Sequence, residues 1–242
     1  MRTETLHRWL WRTFLFWTLV EGVVLTFDIG AAQAKNGAPS GLQSTCIALL
    51  RATDAIWIVL AAAFVYIDLI RREGLPVARR AAIAILLGSG LVAGLGAKTG
   101  FPFGPFIFTG QMGAKIAGVP FAVPLLWMVI LVASRYTVLH FWEHARRWQI
   151  AVGTGLLAVA TDASLEWIAW KIRAWWLWYF PLANTPNWPP LQNFPSWFCL
   201  AALLAWFAFP ASRPVGRHIQ PVILLGLLNL VFWVTLAVRW PR

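Results

Sequence analysis

Seven apolar segments recur along this chain of 242 residues, each close to the length of about 20 residues with which a helix crosses a bilayer. Hydrophobic residues make up 60% of the chain and charged residues 12%, against about 45–50% and about 25% in soluble domains. This composition excludes a disordered chain, a coiled coil and an ordinary soluble enzyme. We therefore predict an all-α, polytopic transmembrane helix bundle of about seven spans, with residues 1–242 forming a single domain. The segments lie at roughly 9–31, 53–70, 79–97, 119–139, 148–170, 196–211 and 218–239.

The arginines cluster at alternate links between the segments. The net charge of +11 is compatible with a nucleic-acid-binding protein, but alternation is what the positive-inside rule produces in a membrane protein. We therefore expect a lipid bilayer and no nucleic acid as a partner. The pattern places the N-terminus inside and the C-terminus outside a bacterial or archaeal cytoplasmic membrane. The clustered arginines are Arg2, Arg8, Arg12, Arg71, Arg72, Arg79, Arg80, Arg135, Arg146, Arg147, Arg213 and Arg217.

The long links all belong to the opposite, non-cytoplasmic side. Residues 32–52, 98–118 and 171–195 are predicted as loops, the last two rich in Gly, Pro and aromatic residues. Irregular backbone cannot face lipid in the hydrocarbon core, and long loops over a compact domain are often functional. These loops are predicted to cap the bundle or to dip into it.

The first apolar segment also has features of a signal peptide. Basic residues precede it, and Ala32-Gln33-Ala34 is typical of a cleavage site. Glu21 and Asp28 interrupt the apolar run, so we expect this segment to be retained as a span.

The chain has nine acidic residues, and their depth in the membrane divides them into two groups. Those near the inner surface are expected to be solvated or ion-paired: Glu4, Asp68, Glu73 and Glu143. A carboxylate within a span is costly and is by default a functional hypothesis. Five acids belong to the middle or outer half: Glu21, Asp28, Asp54, Asp162 and Glu166. The alternative for these five acids, above all for Asp28 and Asp54, is helix capping or pairing with Arg51, Lys98, Lys171 or Arg173.

Asp162 and Glu166 are the strongest functional candidates. They lie four residues apart, so they share one face of a helix. Two carboxyl groups in a poorly solvated site favour one protonated and one ionised group, and a protonated carboxyl is a proton donor. Five tryptophans follow closely: Trp167, Trp170, Trp175, Trp176 and Trp178. Because aromatic faces stabilise cations, the pattern favours carbocation chemistry on a long apolar polyene.

Other chemistries find little support. His140 and His144 have a metal-compatible spacing, but no third ligand accompanies them, and no nucleophile elbow, P-loop or dinucleotide fingerprint occurs. We expect no metal and no cofactor. No inverted repeat points to transport. Cys46 and Cys199 are predicted on the same side of the membrane, which leaves a disulfide or two unpaired thiols as alternatives.

Three segments carry a family resemblance. The first is Thr99-Gly100-Phe101-Pro102-Phe103-Gly104 with Phe106 and Phe108, followed by Gly118-Val119-Pro120 and Pro124-Leu125-Leu126-Trp127. The second is Asp162-x-x-Leu165-Glu166 with Trp176-x-Trp178, and the third runs from Pro190 to Trp197. Over roughly residues 85–200 the chain resembles the membrane-integral carotenoid-biosynthesis family that includes the carotenoid 1,2-hydratases of the bacterioruberin and γ-carotene glycoside pathways. Family members usually have an acid at the position of Ala93, often Tyr at Phe106 and Phe108, Asp at Glu166 and Gly at Ser196.

The resemblance implies a cofactor-free hydratase that adds water across the terminal C1–C2 double bond of an acyclic carotenoid end group. Downstream carotenoid-modifying enzymes are further expected partners. The alternatives are a carotenoid end-group cyclase or isomerase and a non-catalytic carotenoid-binding membrane protein. The candidate catalytic residues are Asp162 or Glu166 as the acid, with Asn193 and Thr99 holding the water. The candidate substrate-binding residues are Phe101, Phe103, Trp167, Trp170, Trp176, Trp178, Phe194, Trp197 and Glu21.

Overall fold

Seven helices form the described part of the chain, which confirms the predicted all-α bundle. The computed structural model describes residues 2–27, 41–179, 188–210 and 219–239, with the side chains of Arg2 and of residues 41–51 outside the description. The helices are α1 Arg2–Phe27, α2 Gly41–Glu73, α3 Leu75–Thr99, α4 Ala122–Phe141, α5 Arg147–Trp167, α6 Asn193–Ala208 and α7 Ile219–Arg239.

Five of these helices are long and apolar enough to cross a membrane: α1, α2, α3, α4 and α7. Helix α6 has 16 residues and is too short by this measure. Helix α5 has 21 residues, carries Asp162 and Glu166 and is not among the five. Helices α5 and α6 pack extensively against each other. The five long apolar helices indicate an integral membrane protein.

Helix α4 occupies the centre of the bundle. It contacts α2, α3, α5, α6 and α7, and most of its residues are buried. Helix α1 packs mainly against α2 and α7 and leaves a wide apolar face exposed. That exposed face is what lipid tails would cover in a membrane.

The boundaries of α3 follow from glycine and proline. Gly74 precedes the helix with φ at 82°, and Pro76 stands in its first turn, where no backbone donor is missed. At the other end Gly100 adopts the left-handed conformation, with φ at 78°, and donates its N–H to the carbonyl of Gly96 at 2.8 Å. The turn at Gly100 starts the segment that leads to the candidate site.

Ion pairs collect at one end of the bundle. Arg71 bonds Glu4 at 2.6 Å, and Arg72 bonds Asp68 at 2.6 Å. His7 also contacts the carboxylate of Asp68, at 3.1 Å. Arg135 bonds Glu73 at 2.7 Å, with both side chains 3% exposed. The ion-paired interpretation of these three acids is confirmed. Arg213 and Arg217, predicted on the same side, lie outside the described residues.

Two short β-ribbons lie at the opposite end. Strand β1 (Phe106–Phe108) pairs antiparallel with β4 (Trp176–Trp178), and β2 (Lys115–Ile116) pairs with β3 (Val119–Pro120). Helix α5 leads to β4 through a π-helical turn, Ile168–Ile172. Because side chains alternate along a strand, the paired register of β1 and β4 places their terminal aromatic residues on one face.

The predicted outer loops need correction. Residues 41–52, predicted as loop, are the first turns of α2, because no proline and no internal glycine interrupts the sequence from there to Glu73. The loop predicted over 98–118 contains β1 and β2, and that over 171–195 contains β4 and the start of α6. Asp28 and the side chain of Cys46 lie outside the described residues, while Cys199 is exposed and unpaired.

Candidate active site

Asp162 and Glu166 lie side by side in the interior of the bundle. Both are on α5 and are fully buried. The side-chain nitrogen of Asn193, the first residue of α6, donates to Oδ2 of Asp162 at 2.9 Å and to Oε2 of Glu166 at 3.3 Å. One amide therefore joins the two carboxyl groups, which confirms the shared helix face predicted from their spacing.

The other oxygen of Glu166 is held by two indoles. Trp176 Nε1 donates to Oε1 at 2.9 Å and Trp178 Nε1 donates to the same atom at 2.6 Å. Strand β4 makes this convergence, because residues two apart on a strand face the same side. Glu166 thus accepts three hydrogen bonds, whereas Oδ1 of Asp162 has no partner among the described residues. The two carboxyl groups are chemically unequal.

A cavity of about 350 Å³ opens beside Glu166. Among the described residues that line it, Glu166 is the one carboxyl group, and Asn193 is the second polar side chain apart from indole nitrogens. Much of this space is open to the outside, and the enclosed part, about 40 Å³, is far below the roughly 300–1,000 Å³ of sites that bury a whole ligand. It therefore has room for the tip of a polyene end group and not for a whole polyene. The lining residues are Ala93, Phe103, Phe106, Phe108, Val123, Trp127, Glu166, Trp176, Trp178, Asn193 and Trp197.

The aromatic wall is built by packing between elements. Trp127 of α4 stacks on Trp197 of α6 with ring centres 3.8 Å apart. Phe106 of β1 meets Trp178 of β4 edge to face at 5.4 Å, and Phe108 meets Phe106 in the same way at 5.0 Å. Such a wall presents π faces that stabilise a positive charge and no nucleophile that would trap one.

Five of the nine substrate-binding residues predicted from the sequence are not among the described residues that line this cavity. Phe101 is 70% exposed, and Phe194 is half-buried outside the lining set. Trp167 and Trp170 stack on each other, with ring centres 6.1 Å apart, and the ammonium of Lys171 lies over the ring of Trp170. The π-helical turn carries Trp170 away from the face that holds the two acids.

Thr99 and Glu21 also lie elsewhere. The hydroxyl of Thr99 donates to the carbonyl of Leu95 in its own helix, at 2.8 Å, and this side chain is exposed. The bond is the usual way in which a threonine near a helix end satisfies its hydroxyl. Glu21 is buried in another cluster, beside Thr53 and Asp54.

Several lining residues were not predicted as site residues from the sequence: Ala93, Phe106, Phe108, Val123 and Trp127. The period-two spacing of Phe106 and Phe108 is the signal of a strand face, and Trp127 lies in one of the motifs that carry the resemblance. Ala93 stands where family members usually have an acid, and here it contributes only a methyl group to the wall. Neither Ala93 nor Val123 gives a sequence signal of its own.

Asp54 forms the second buried carboxylate centre. Arg173 donates to both of its oxygens, with Nε at 2.8 Å from Oδ2 and Nη2 on Oδ1, and Trp175 Nε1 donates to Oδ2 at 2.8 Å. Of the alternatives for Asp54, pairing with Arg173 is the one observed. Within the ranges that the structure describes, no three His, Cys, Asp or Glu side chains converge as a metal ion requires.

Comparison with known proteins gives one match. No curated protein and no solved structure matches the chain. The sequence model of the family described as carotenoid biosynthesis protein matches residues 53–240, a stretch that contains every residue lining the cavity. Because this stretch is well over half of the chain, the protein belongs to the carotenoid biosynthesis protein family.

Proposed function

We propose that this protein hydrates the terminal C1–C2 double bond of an acyclic carotenoid end group, giving a tertiary alcohol without a cofactor. The observation that carries the proposal is the position of Glu166, which lines an otherwise aromatic cavity and shares the amide of Asn193 with Asp162. An acid, a cation-stabilising wall and an amide to hold water are the parts that this reaction needs.

The two carboxyl groups act as one acid that holds a single proton. Double ionisation is disfavoured because like charges in a water-poor site repel each other. Glu166 accepts three hydrogen bonds, the pattern of an ionised carboxylate, and Oδ1 of Asp162 is the oxygen left to carry the proton. Since Glu166 and not Asp162 lines the cavity, Glu166 is the group that gives the proton to the substrate. Oδ1 of Asp162 has no hydrogen-bond partner among the described residues, so the proton reaches Glu166 through a water beside the pair.

Protonation is the first chemical step. The π electrons of the C1–C2 bond form a new C–H bond at C2, and C1 is left as a tertiary cation. The faces of Phe106, Trp127 and Trp197 line the cavity in which this charge develops, and each aromatic face contributes about 0.5–2 kcal/mol toward a nearby cation. Because stabilisation of developing charge by a fixed environment lowers the barrier, the wall assists the step that would be slow in lipid.

Water capture completes the reaction. Both N–H groups of the Asn193 amide are directed to carboxyl groups. A water held by Asn193 must therefore donate a hydrogen bond to the amide oxygen, Oδ1 of Asn193. A water bound in that way keeps a lone pair for C1. Its surplus proton goes to the ionised carboxyl of the pair, which restores the acid, so the balance is one water added and no cofactor consumed.

Two alternatives use the same cavity differently. A cyclase or isomerase would protonate the end group and exclude water, and a carotenoid-binding protein would not protonate it. The polar amide of Asn193 beside Glu166 favours hydration over cyclisation or isomerisation. Ring closure or loss of a proton from the cation requires a cavity from which water is excluded. The buried acid pair favours catalysis over binding alone, because burial of two carboxyl groups is costly without a use.

Carotenoid profiling in a lycopene-producing host tests the proposal. Expression of the chain should add the mass of one water to the acyclic carotenoid. Equal mass with altered absorption would indicate a cyclase or isomerase, and unchanged carotenoid co-purifying with the protein would indicate binding alone.

Variants of the acid pair make the test specific. Asp162→Asn and Glu166→Gln should each reduce product at least about 100-fold, the usual contribution of a general acid. The double variant should be no worse than either single one, because residues that act as a unit give non-additive losses. Asn193→Ala should have a smaller effect. The matched control is Glu73→Gln, a buried carboxylate at the ion-paired end of the bundle; near-normal conversion by both acid variants would contradict the proposal.

A further inference from the structure

Asp54 of α2 holds the chain immediately before β4. Its carboxylate is buried and accepts hydrogen bonds from Arg173 and, at 2.8 Å, from Trp175 Nε1. Between these two donors Ala174 has a φ of 48°, in the left-handed region that residues with a side chain rarely adopt. A strained turn of this kind persists only where its surroundings determine it, and here the contacts to Asp54 flank it on both sides.

Consecutive indoles in this segment reach two different carboxylates. Trp175 donates to Asp54 of α2, and the next residue, Trp176, donates to Glu166 of α5 at 2.9 Å. Opposite directions of neighbouring side chains are the rule in extended backbone. The segment is therefore fixed between α2 and α5, with the acid of the candidate site on one side and Asp54 on the other.

Backbone bonds secure the same strand at its edges. Thr109 donates its N–H to the carbonyl of Trp175 at 3.0 Å, and Tyr179 donates to that of Pro105 at 2.8 Å. These bonds set which residues of β1 and β4 oppose each other. Asp54 is the side-chain anchor that ties the residues just before β4 to α2, as Glu166 ties Trp176 to α5.

We propose that Asp54 is a positioning residue for the acid pair: through Arg173 and Trp175 it sets where the indoles of Trp176 and Trp178 meet Glu166. The catalytic consequence rests on the proposed hydration, whereas the structural coupling between Asp54 and the two indoles does not. Asp54→Asn removes the carboxylate to which Arg173 and Trp175 both donate. The residues just before β4 then lose their anchor on α2, so the indoles of Trp176 and Trp178 are expected to move relative to Glu166.

Fluorine NMR of the full chain in nanodiscs measures the coupling directly. The protein is labelled with 5-fluorotryptophan, and the signals of Trp176 and Trp178 are assigned by Trp→Phe replacement. Asp54→Asn should shift both signals and lower kcat for hydration about ten- to hundredfold, the range expected for a small misplacement of a reacting group. KM should change little, since Asp54 does not line the cavity.

Two further variants make the result decisive. Trp175→Phe removes the 2.8 Å hydrogen bond to Asp54 and part of a buried ring that contacts Trp176. The signal of Trp178 is therefore the one to compare, and it should shift by a smaller amount than in Asp54→Asn. Glu73→Gln is the matched control, because it breaks an ion pair in which both side chains are 3% exposed, at the other end of the bundle. It should leave the signals of Trp176 and Trp178, and kcat, in place.

The outcomes separate this proposal from the proposed function. An unshifted signal of Trp178 in Trp175→Phe would overturn the positioning role, whether or not Asp54→Asn folds. Equal shifts in Glu73→Gln would also overturn it, since the coupling would then be a general loss of packing. If the wild-type protein makes no hydrated carotenoid while Asp54→Asn and Trp175→Phe still shift these signals, the coupling is supported and the proposed hydratase activity is contradicted.

Discussion

Glu166 owes its properties to the number and kind of groups that bond it. Three N–H donors converge on its carboxylate, two of them indoles. Hydrogen bonds to an ionised group are roughly twice as strong as those between neutral groups. The shortest of the three, from Trp178 at 2.6 Å, both orients the carboxylate and places an aromatic ring in the cavity wall.

Trp178→Phe separates these two contributions. The phenyl ring keeps most of the wall, while the hydrogen bond to Glu166 is lost. A bond to a charged group is worth about 1.5–3 kcal/mol, so we expect kcat to fall about ten- to hundredfold with little change in KM. Steady-state kinetics of the reconstituted protein on an acyclic carotenoid measures both constants.

Trp197→Phe is the control for Trp178→Phe. Trp197 also lines the cavity, but it stacks on Trp127 and gives neither carboxyl group a hydrogen bond. Its replacement should act chiefly on KM. Equal effects of the two variants on kcat would show that the ring, and not the indole N–H, is what Glu166 needs.

Residue spacing predicted the acid pair at the centre of the site but not the aromatic residues that surround it. The four-residue interval between Asp162 and Glu166 places them on one helix face regardless of the tertiary structure. Asn193 was predicted only because it lies in a motif that carries the family resemblance. Its approach to α5 depends on packing between helices, which residue spacing does not predict. Trp167 and Trp170 are nearer in sequence to the acids than Trp178 is, yet they are not among the described residues that line the cavity. Trp167 directly follows Glu166 and so lies about 100° around the helix from it, and Trp170 belongs to the π-helical turn, where the α-helical spacing no longer applies.

Close contact between α5 and α6 is the element-level condition for the site, because Asn193 belongs to one helix and both acids to the other. Gly155 permits this contact. A Cβ built at Gly155 would lie 2.8 Å from the ring of Phe198 and 3.0 Å from its carbonyl oxygen. Small residues allow helices in membranes to approach closely, and here the carbonyl cannot yield without a shift of the α6 backbone.

Gly155→Ala should therefore destabilise the protein and impair the site together. Overpacking of this kind costs about 1–3 kcal/mol, and displacement of α6 lengthens the bonds from Asn193 to the acids. We expect a lower melting temperature in detergent and a lower conversion of carotenoid. Gly226→Ala in α7 is the control, since a Cβ there meets nothing within 4 Å. A stability of Gly155→Ala equal to that of Gly226→Ala would contradict the packing argument.

Hydropathy predicted the helices well and the β-ribbons not at all. Apolar runs of about 20 residues locate the seven helices because bilayer thickness sets their length. Strands β1 and β4 have three residues each and pair across some 70 positions of sequence, so no local pattern specifies them. The aromatic residues that the ribbons place in the cavity could be expected near the site only through the family resemblance.

At the level of the whole molecule, the structure has two chemically different ends. One carries the ion pairs of Arg71, Arg72 and Arg135. The other carries the β-ribbons and the segment around Gly100, close to the acid pair. Because membrane proteins retain arginine-rich links in the cytoplasm, the asymmetry predicts that the acid pair lies toward the outer surface, from which water would reach the cavity.

Single-cysteine labelling tests this orientation. In a background with Cys46→Ser and Cys199→Ser, one cysteine replaces Gln111, exposed at the ribbon end, and another replaces His144, exposed in the link between α4 and α5. A membrane-impermeant maleimide should label Gln111→Cys in intact cells and His144→Cys only after permeabilisation, because the link at His144 is flanked by Arg135, Arg146 and Arg147. The reverse pattern would place the ribbons in the cytoplasm. Water and protons would then enter from the cytoplasm, and the arginine clusters would be on the side that the positive-inside rule disfavours.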